Sequence, residues 1–277
     1  CGGVQHMLGD DRAGKIDVRS QQLAVCCRDH VGSGKDWDLS RKHGGLRILP
    51  PFGYSGRREG VYRGRMDALA GVRSYLQYIR QDYVVLAGGD LAVNLPLNDI
   101  FEAHIRNDAD ITAVCTSRPM GSPKDCDYFT IGAVLVHPPI AQGCESLEVY
   151  ILSKQLLLSL VDHCAAHNIP SFSTGVLQAM AGQLKICPYV FDGYAARLQS
   201  VAGYFARSME LLNPEVRTDL FAPGRPVRTK DRSDPSTYYG PGSRAVNSLV
   251  ADGCIIEGEV ENSILFRGVR VEKGAKV

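Results

Sequence analysis

The first candidate for chemistry in this sequence is a carboxylate that follows an apolar segment. Residues 83–87 read Y-V-V-L-A and are followed by Gly88, Gly89 and Asp90. Ligands of α/β sheets bind beyond the carboxyl ends of the strands, where this tripeptide would lie. A carboxylate there can hold a divalent cation that bridges phosphate oxygens, so Asp90 is a candidate metal ligand. From the tripeptide alone, the alternative is a simple turn or N-cap residue.

The segments around this tripeptide alternate between helical and strand patterns. Apolar residues at three- and four-residue steps predict helices over 66–80, 99–107, 154–167, 172–181 and 200–212. Short apolar runs predict strands over 83–87, 110–115, 130–136, 147–152 and 184–190. This alternation predicts an α/β domain with a mostly parallel sheet and flanking helices.

The C-terminal segment, residues 247–277, carries a different pattern with a six-residue spacing. One series contains Cys254, Val260 and Phe266, and a second contains Leu265, Val271 and Val277. Glycines mark possible corners, namely Gly253, Gly258, Gly268 and Gly274. The pattern predicts the first rungs of a left-handed parallel β-helix. Because so few rungs cannot bury their end faces, we expect the sequence to be a fragment or to need a partner, and residue 1, Cys rather than Met, favours a fragment.

Composition indicates a globular protein without a strong electrostatic field. The 277 residues include 31 basic and 30 acidic side chains, a net charge of +1 that gives no general attraction to nucleic acid or an anionic membrane. The nine cysteines show no repeated spacing, and no apolar run approaches the length of a membrane span. We therefore expect a reduced, cytoplasmic setting.

Several segments resemble the bacterial glucose-1-phosphate adenylyltransferases, in the same order along the chain. Residues 61–68, V-Y-R-G-R-M-D-A, look like the family's W-Y-R-G-T-A-D-A, and residues 83–90 look like its Y-V-V-I-L-A-G-D. Residues 225–229 resemble W-P-I-R-T, and residues 247–271 resemble the start of its β-helix domain. Residues 29–39, D-H-V-G-S-G-K-D-W-D-L, look like the GlgD-type branch.

The resemblance implies a domain order and an activity. It implies an unmatched segment over 1–25, a Rossmann-like nucleotidyltransferase domain over 26–220, a linker rich in proline and glycine over 221–246, and a truncated left-handed β-helix over 247–277. The family makes ADP-glucose and diphosphate from ATP and glucose 1-phosphate with Mg²⁺, and its members assemble as tetramers.

The departures from the family pattern are as informative as the matches. Arg197 falls where active members have a metal-binding Asp, and Glu148 replaces the glycine of a sugar-contacting S-M-G-I-Y segment. The stretch that carries the sugar-phosphate Lys has no counterpart between Phe129 and Leu147, and the N-terminal Gly-rich loop is not found. Several groups that would stabilise the charge of the transition state are therefore missing together. For this reason the resemblance implies a GlgD-type regulatory subunit that is inactive alone.

From this reasoning we predict two sites. The nucleotide or sugar-phosphate crevice would contain a short set of residues, namely Arg63, Gly64, Asp67, Gly88, Gly89 and Asp90, with Asp90 as a vestigial metal ligand. A sugar-phosphate effector site would contain the basic residues Arg225, Arg228, Lys230 and Arg244, although solvation of a linker is the alternative. The expected partner is a catalytic paralogue or a second copy, and no Mg²⁺ is expected to bind this chain alone.

Two other functions remain open from the residues. The chain can be an active sugar-phosphate nucleotidyltransferase that uses Asp90 for Mg²⁺ and obtains the missing groups elsewhere. The six-residue spacing alone is also compatible with a β-helical acyltransferase. That class normally needs a catalytic His in or between coils, and no His follows His167.

Overall fold

A computed structural model describes residues 62–118, 120, 144–227 and 233–277, together with Leu49 and two short paired strands, β1 (Asp17–Val18) and β2 (Arg47–Ile48). The chain divides into two compact units. The first comprises Cys1–Arg197 with Arg225–Thr229, and the second comprises Leu198–Gly224 with Lys230–Val277. The predicted strand over 130–136 lies outside the described residues.

The helices of the first unit lie where the apolar periodicity predicts them. They are α1 (Arg65–Gly71), α2 (Arg73–Tyr78), α3 (Leu97–Arg106), α4 (Lys154–Ala166) and a π-helical turn, Ser173–Gln178. Ser153 caps α4, because its Oγ accepts a hydrogen bond from the Leu156 N–H at 3.1 Å. The single helix predicted over 66–80 is wrong: non-helical Val72 separates α1 from α2, directly after Gly71.

A four-stranded sheet lies at the centre of the first unit. It contains β3 (Tyr83–Leu86), β5 (Ile111–Thr116), β6 (Glu145–Ser153) and β7 (Ile186–Val190), in the order β3-β6-β5-β7. Strand β5 pairs parallel with β7, whereas β6 lies antiparallel between β3 and β5. Three of the four strands therefore share one direction. A separate two-stranded ladder joins β4 (Leu91–Val93) to β8 (Ala195–Arg197).

Both faces of this sheet are buried. This burial holds the strands in place and, with them, the residues at their ends. All six residues of β5 are buried, as expected for a strand covered on both faces. One apolar cluster includes Tyr150 and Leu152 with the helices α1 and α4. The other includes Val149, Ile151 and Ile100. The alternation along β6 therefore anchors its backbone from both sides.

The second unit contains two helices and a parallel β-helix. The helices are α5 (Val201–Glu210), capped by Ser200, and α6 (Pro214–Leu220), which the apolar pattern did not predict. The strands are β9 (Tyr238–Tyr239), β10 (Arg244–Val246), β11 (Leu249–Val250), β12 (Ile255–Ile256), β13 (Glu259–Glu261), β14 (Ile264–Leu265) and β15 (Arg270–Val271).

These short strands stack into three parallel sheets, β9-β12-β15, β10-β13 and β11-β14. Strand partners such as Leu249 and Ile264 are fifteen residues apart, and Tyr238 and Ile255 are seventeen apart. Both coils are therefore shorter than the three six-residue faces that the sequence pattern predicted. The interior contains four fully buried side chains, those of Cys254, Ile256, Val260 and Val271. Phe266 and Val277, which the six-residue spacing placed inside, are instead exposed.

Candidate functional site

Asp90 lies in the turn that joins β3 to β4, the position predicted from the sequence. A Cβ atom on Gly88 would lie 2.7 Å from Asp90 Oδ1, so a larger residue at position 88 would make the Asp90 carboxylate move. Gly89 faces open space. Buried Leu86 and Leu91 anchor the two sides of this turn, so the Asp90 carboxylate is fixed at the sheet end while about a third of it stays exposed.

Arg197 lies directly beside this carboxylate. The antiparallel pairing of β4 with β8 sets Leu91 opposite Arg197 and so brings the neighbouring Asp90 within reach. Arg197 Nη1 lies 3.5 Å from Asp90 Oδ2, and Nη2 donates a hydrogen bond to the Ser146 carbonyl oxygen at 3.1 Å. The Arg197 side chain is only 7% exposed, so water screens this charge poorly.

Glu148 links Arg197 to a second arginine. Its Oε1 lies 3.2 Å from Arg197 Nη2, and its Oε2 accepts a hydrogen bond from Arg65 Nη2 at 2.9 Å. The Arg65 guanidinium also lies over the Tyr150 ring, 5.6 Å from the ring centre, in a cation–π contact. Four side chains thus form a chain of alternating charge, Arg65, Glu148, Arg197 and Asp90, which we call the ion-pair network.

The backbone at Glu148 has an uncommon conformation. Its φ of +55° is in the left-handed region, where a non-glycine residue costs about 1 to 2 kcal/mol. The pairing of β5 with β6 shifts register between Val114 and Cys115, which leaves Leu147 and Glu148 in a bulge. The Glu148 N–H donates a hydrogen bond to Ser146 Oγ at 3.0 Å. Bulges re-aim side chains, and here the Glu148 carboxylate reaches both arginines.

Three departures from the motifs of the adenylyltransferases meet in this network. By the motif resemblance described above, Arg65 corresponds to the Thr of W-Y-R-G-T-A-D-A, Glu148 to the Gly of S-M-G-I-Y, and Arg197 to the metal-binding Asp expected of active members. The structure brings all three into contact. Sequence reasoning identified Glu148 and Arg197 as departures but missed Arg65 as a site residue. The Thr-to-Arg difference within the quoted motif was the signal available for it.

The other predicted crevice residues form a separate cluster. Arg63 Nε donates to Asp67 Oδ2 at 2.9 Å, and Arg63 Nη2 donates to Asn168 Oδ1 at 2.8 Å. The hydrogen bond to Asp67 raises the pKa of the exposed Arg63 guanidinium. A Cβ atom on Gly64 would lie 2.4 Å from the Pro170 carbonyl oxygen. Gly64 is therefore needed for packing, and Arg63 is engaged in holding its own segment.

The ion-pair network does not fit a magnesium ion. Mg²⁺ requires oxygen ligands in a near-octahedral arrangement and is usually held by carboxylates. Here the cation beside Asp90 is the guanidinium of Arg197, and the same group neutralises Glu148. Within the described ranges, no cluster of three or more His, Cys, Asp or Glu side chains is placed to bind a metal. The arrangement can hold charge in place but offers no oxygen-only cage.

One of the predicted effector residues has a structural role. Arg225 Nε donates to Asn94 Oδ1 at 3.1 Å, and Asn94 Nδ2 donates to the Arg225 carbonyl oxygen at 2.8 Å. Asn94 is buried, so this reciprocal pair ties Arg225 to the first unit. Arg244 is exposed on β10 of the second unit, and Arg228 and Lys230 lie outside the described residues. The effector site stays a prediction.

The sequence is similar to known proteins of two kinds, hexapeptide-repeat domains and proteins of glycogen biosynthesis. A family model described as GlmU-like, C-terminal hexapeptide matches residues 237–277. The chain is 35% identical to the glycogen biosynthesis protein GlgD of Bacillus subtilis and 37% identical to that of Geobacillus stearothermophilus, in each case over 90% of this chain and 64% of the relative. It is 28% identical to the glucose-1-phosphate adenylyltransferase of G. stearothermophilus, over 95% of this chain and 70% of that enzyme.

The resemblance predicted from the motifs is thus confirmed, and the chain spans about 64% of the length of the GlgD relatives. In the part of the chain that the structure describes, none of the helices has the length and apolar character needed to cross a membrane.

Proposed function

Because this chain is a homologue of the GlgD glycogen biosynthesis proteins and of the glucose-1-phosphate adenylyltransferases, we propose that it belongs to a regulatory subunit of glycogen biosynthesis. The subunit does not form ADP-glucose by itself. It associates with a catalytic paralogue and alters the rate at which that paralogue converts ATP and glucose 1-phosphate.

The position of Arg197 is the observation that carries this proposal. The motif resemblance implies that active adenylyltransferases hold a metal with an Asp that corresponds to Asp90 and with a second carboxylate. The guanidinium of Arg197 stands where that second carboxylate is expected, 3.5 Å from Asp90. A cation fixed there repels Mg²⁺, and triphosphate chemistry depends on the metal for charge stabilisation. The cation is well held, because Ser146 and Glu148 also bind it. In this proposal, ion pairs between side chains of the chain itself occupy the crevice in place of a bound metal.

Further features support the finer parts of the proposal. The first unit contains the three co-directional strands and covering helices expected of a Rossmann-like nucleotidyltransferase, and the second contains coils that we propose to be left-handed. A cytoplasmic setting agrees with the five described cysteines, which are all free thiols, Cys115, Cys144, Cys164, Cys187 and Cys254.

The proposal is tested by diphosphate release from ATP and glucose 1-phosphate with Mg²⁺. The full-length parent protein is assayed alone, and then mixed with its purified catalytic paralogue. We expect no activity alone and a change in kcat or KM of the paralogue in the mixture. Unchanged kinetics at saturating ratios of the two proteins would contradict the regulatory role.

The same assay distinguishes the alternative of an active nucleotidyltransferase. Its supporting observation is that Asp90 is present and about one third exposed at the predicted strand end. Activity of the full-length protein alone, abolished by Asp90→Ala and retained in Asp162→Asn, would establish the alternative. Asp162 is a suitable control because it forms an exposed pair with Arg73 and belongs to neither predicted site.

A further inference from the structure

Glu148 uses both carboxylate oxygens to bridge two arginines. Oε2 lies 2.9 Å from Arg65 Nη2, and Oε1 lies 3.2 Å from Arg197 Nη2. Two guanidinium groups that converge on separate oxygens of one anion form the arrangement that proteins use to hold phosphate groups. We infer that Arg65 and Arg197 form a phosphate-binding site that Glu148 fills as a built-in anion, so that a free phosphate group binds only by displacing the Glu148 carboxylate.

Both guanidinium groups are held by contacts that do not involve the Glu148 carboxylate. Arg65 lies over the ring of Tyr150, a buried residue that packs against Phe172 with ring centres 4.9 Å apart. Arg197 is bound by the Ser146 carbonyl oxygen and by Asp90. Removing the carboxylate therefore leaves both arginines in position, and a preorganised site costs a ligand less ordering.

The charge balance favours an anion once the carboxylate is gone. The network contains two guanidinium groups and two carboxylates. Without Glu148, Asp90 is the remaining carboxylate of this four-residue network, so its two guanidinium groups exceed its negative charge by one. The two arginine side chains are 24% and 7% exposed, so the charge is only partly screened by water. A phosphate dianion restores the balance and offers oxygens to both donors.

Glu148 is attached in a way that permits exchange. As a tethered group it competes at an effective concentration on the order of millimolar or above, which keeps weakly binding anions out. The left-handed backbone conformation of Glu148 is unfavourable for a non-glycine residue. The side chain is 32% exposed, so the displaced carboxylate can move into solvent. Ligands of this class include inorganic phosphate and phosphate monoesters.

The inference deepens the proposed function and rests on it only in treating the crevice as non-catalytic. The two are tested separately. If the full-length protein forms ADP-glucose alone, the proposed function fails, while the comparison of phosphate affinities between variants is unaffected.

The test is the affinity of the full-length protein for inorganic phosphate, measured by isothermal titration calorimetry for wild type and Glu148→Gly. Glycine accepts a φ of +55°, so the variant keeps the backbone. We expect the variant to bind phosphate at least about tenfold more tightly, because the tethered competitor is lost. A second arm uses glucose 1-phosphate in place of phosphate, and a larger gain there would assign the source as a sugar phosphate.

Three further variants keep the result interpretable. Glu148→Asn also removes the charge and tolerates the left-handed region, so it replaces the glycine variant if that protein does not fold. The double variant Glu148→Gly/Arg65→Gln should lose the gain. The control Glu257→Gln removes a carboxylate from an exposed pair with Arg270 in the second unit and should gain nothing. Equal affinity of wild type and both folded Glu148 variants, or a gain that persists without Arg65, would overturn the inference.

Discussion

The guanidinium of Arg197 lies 3.5 Å from the carboxylate of Asp90, and both groups are held at the end of the β4–β8 ladder. Asp90 occupies the strand-end position at which α/β proteins bind ligands. In this protein the group beside Asp90 is the Arg197 guanidinium, a cation that belongs to the chain itself. This pair gives the crevice a fixed charge arrangement, and several measurable properties should follow from it.

Arg197→Ala should lower the free energy of unfolding by about 1 to 3 kcal/mol, because it leaves the partly buried Asp90 and Glu148 carboxylates without their shared cation. Urea denaturation measures this loss. The control is Arg73→Ala, which breaks the exposed ion pair between Arg73 and Asp162. We expect a smaller loss there because exposed pairs contribute little. An equal loss in both variants would contradict a special role for Arg197.

Magnesium should have no effect on the melting temperature of the wild-type protein, whether it is added or removed with EDTA, because Arg197 already neutralises Asp90. Arg197→Asp places a second carboxylate beside Asp90 and should make the melting temperature rise with Mg²⁺. Arg197→Asn is the neutral control and should not respond. A Mg²⁺-dependent shift in the wild type would show that the guanidinium does not exclude the metal.

His104 should make the protein less stable as the pH falls below about 6.5, the ordinary value for histidine. Burial lowers the pKa of His104, and this effect outweighs the negative charges of Asp110 and Asp108, which raise it. The unfolded chain therefore takes up the proton at a higher pH than the folded one, and stability is lost as pH falls through the unfolded pKa.

The measurement for His104 is the free energy of unfolding in urea between pH 7.5 and pH 5.5. His104→Asn should flatten the pH dependence in this range, although it also loses the present 2.8 Å contact with Thr112 Oγ1. The control is Thr112→Val, which also removes this contact but keeps the imidazole, and it should keep the slope of the wild type. A slope unchanged by His104→Asn would exclude His104 as its cause.

Cys115 should resist alkylation in the folded protein. Burial in the sheet raises the pKa of its thiol to about 12, so the reactive thiolate is scarce at pH 8. Iodoacetamide labelling followed by peptide mass spectrometry should find Cys115 unmodified under native conditions and fully modified in urea. Rapid native labelling of the Cys115 peptide would mean that β5 opens readily.

Gly258→Ala should destabilise the β-helix by about 1 to 3 kcal/mol, because a Cβ atom there would lie 2.4 Å from the Ala275 carbonyl oxygen and 2.6 Å from that of Glu272. Gly224→Ala, in the same unit, is the control because its Cβ would meet no atom within 4 Å. Denaturation followed by circular dichroism should separate the two variants. Similar stability of both would mean that the coil widens without cost.

Local patterns were sufficient for much of the first unit. The apolar run at 83–87 and the periodicity at 154–167 correspond to β3 and α4, because each element is long enough to show its period within its own residues. The same reasoning failed at 66–80, where one non-helical residue, Val72, divides the helix. It also failed for Phe266 and Val277, since a small change in coil length moves a side chain from the interior to the surface.

The sequence by itself was enough to predict the resemblance to the GlgD proteins and the strand-end position of Asp90, and to single out Glu148 and Arg197 by comparison with the quoted motifs. Only the tertiary structure decided that these departures, with Arg65, form one ion-pair network. The physical reason is that electrostatic pairing depends on distance in space, and a strand ladder and a bulge join residues that lie tens of positions apart in the chain. Spacing along the sequence contains no measure of that distance.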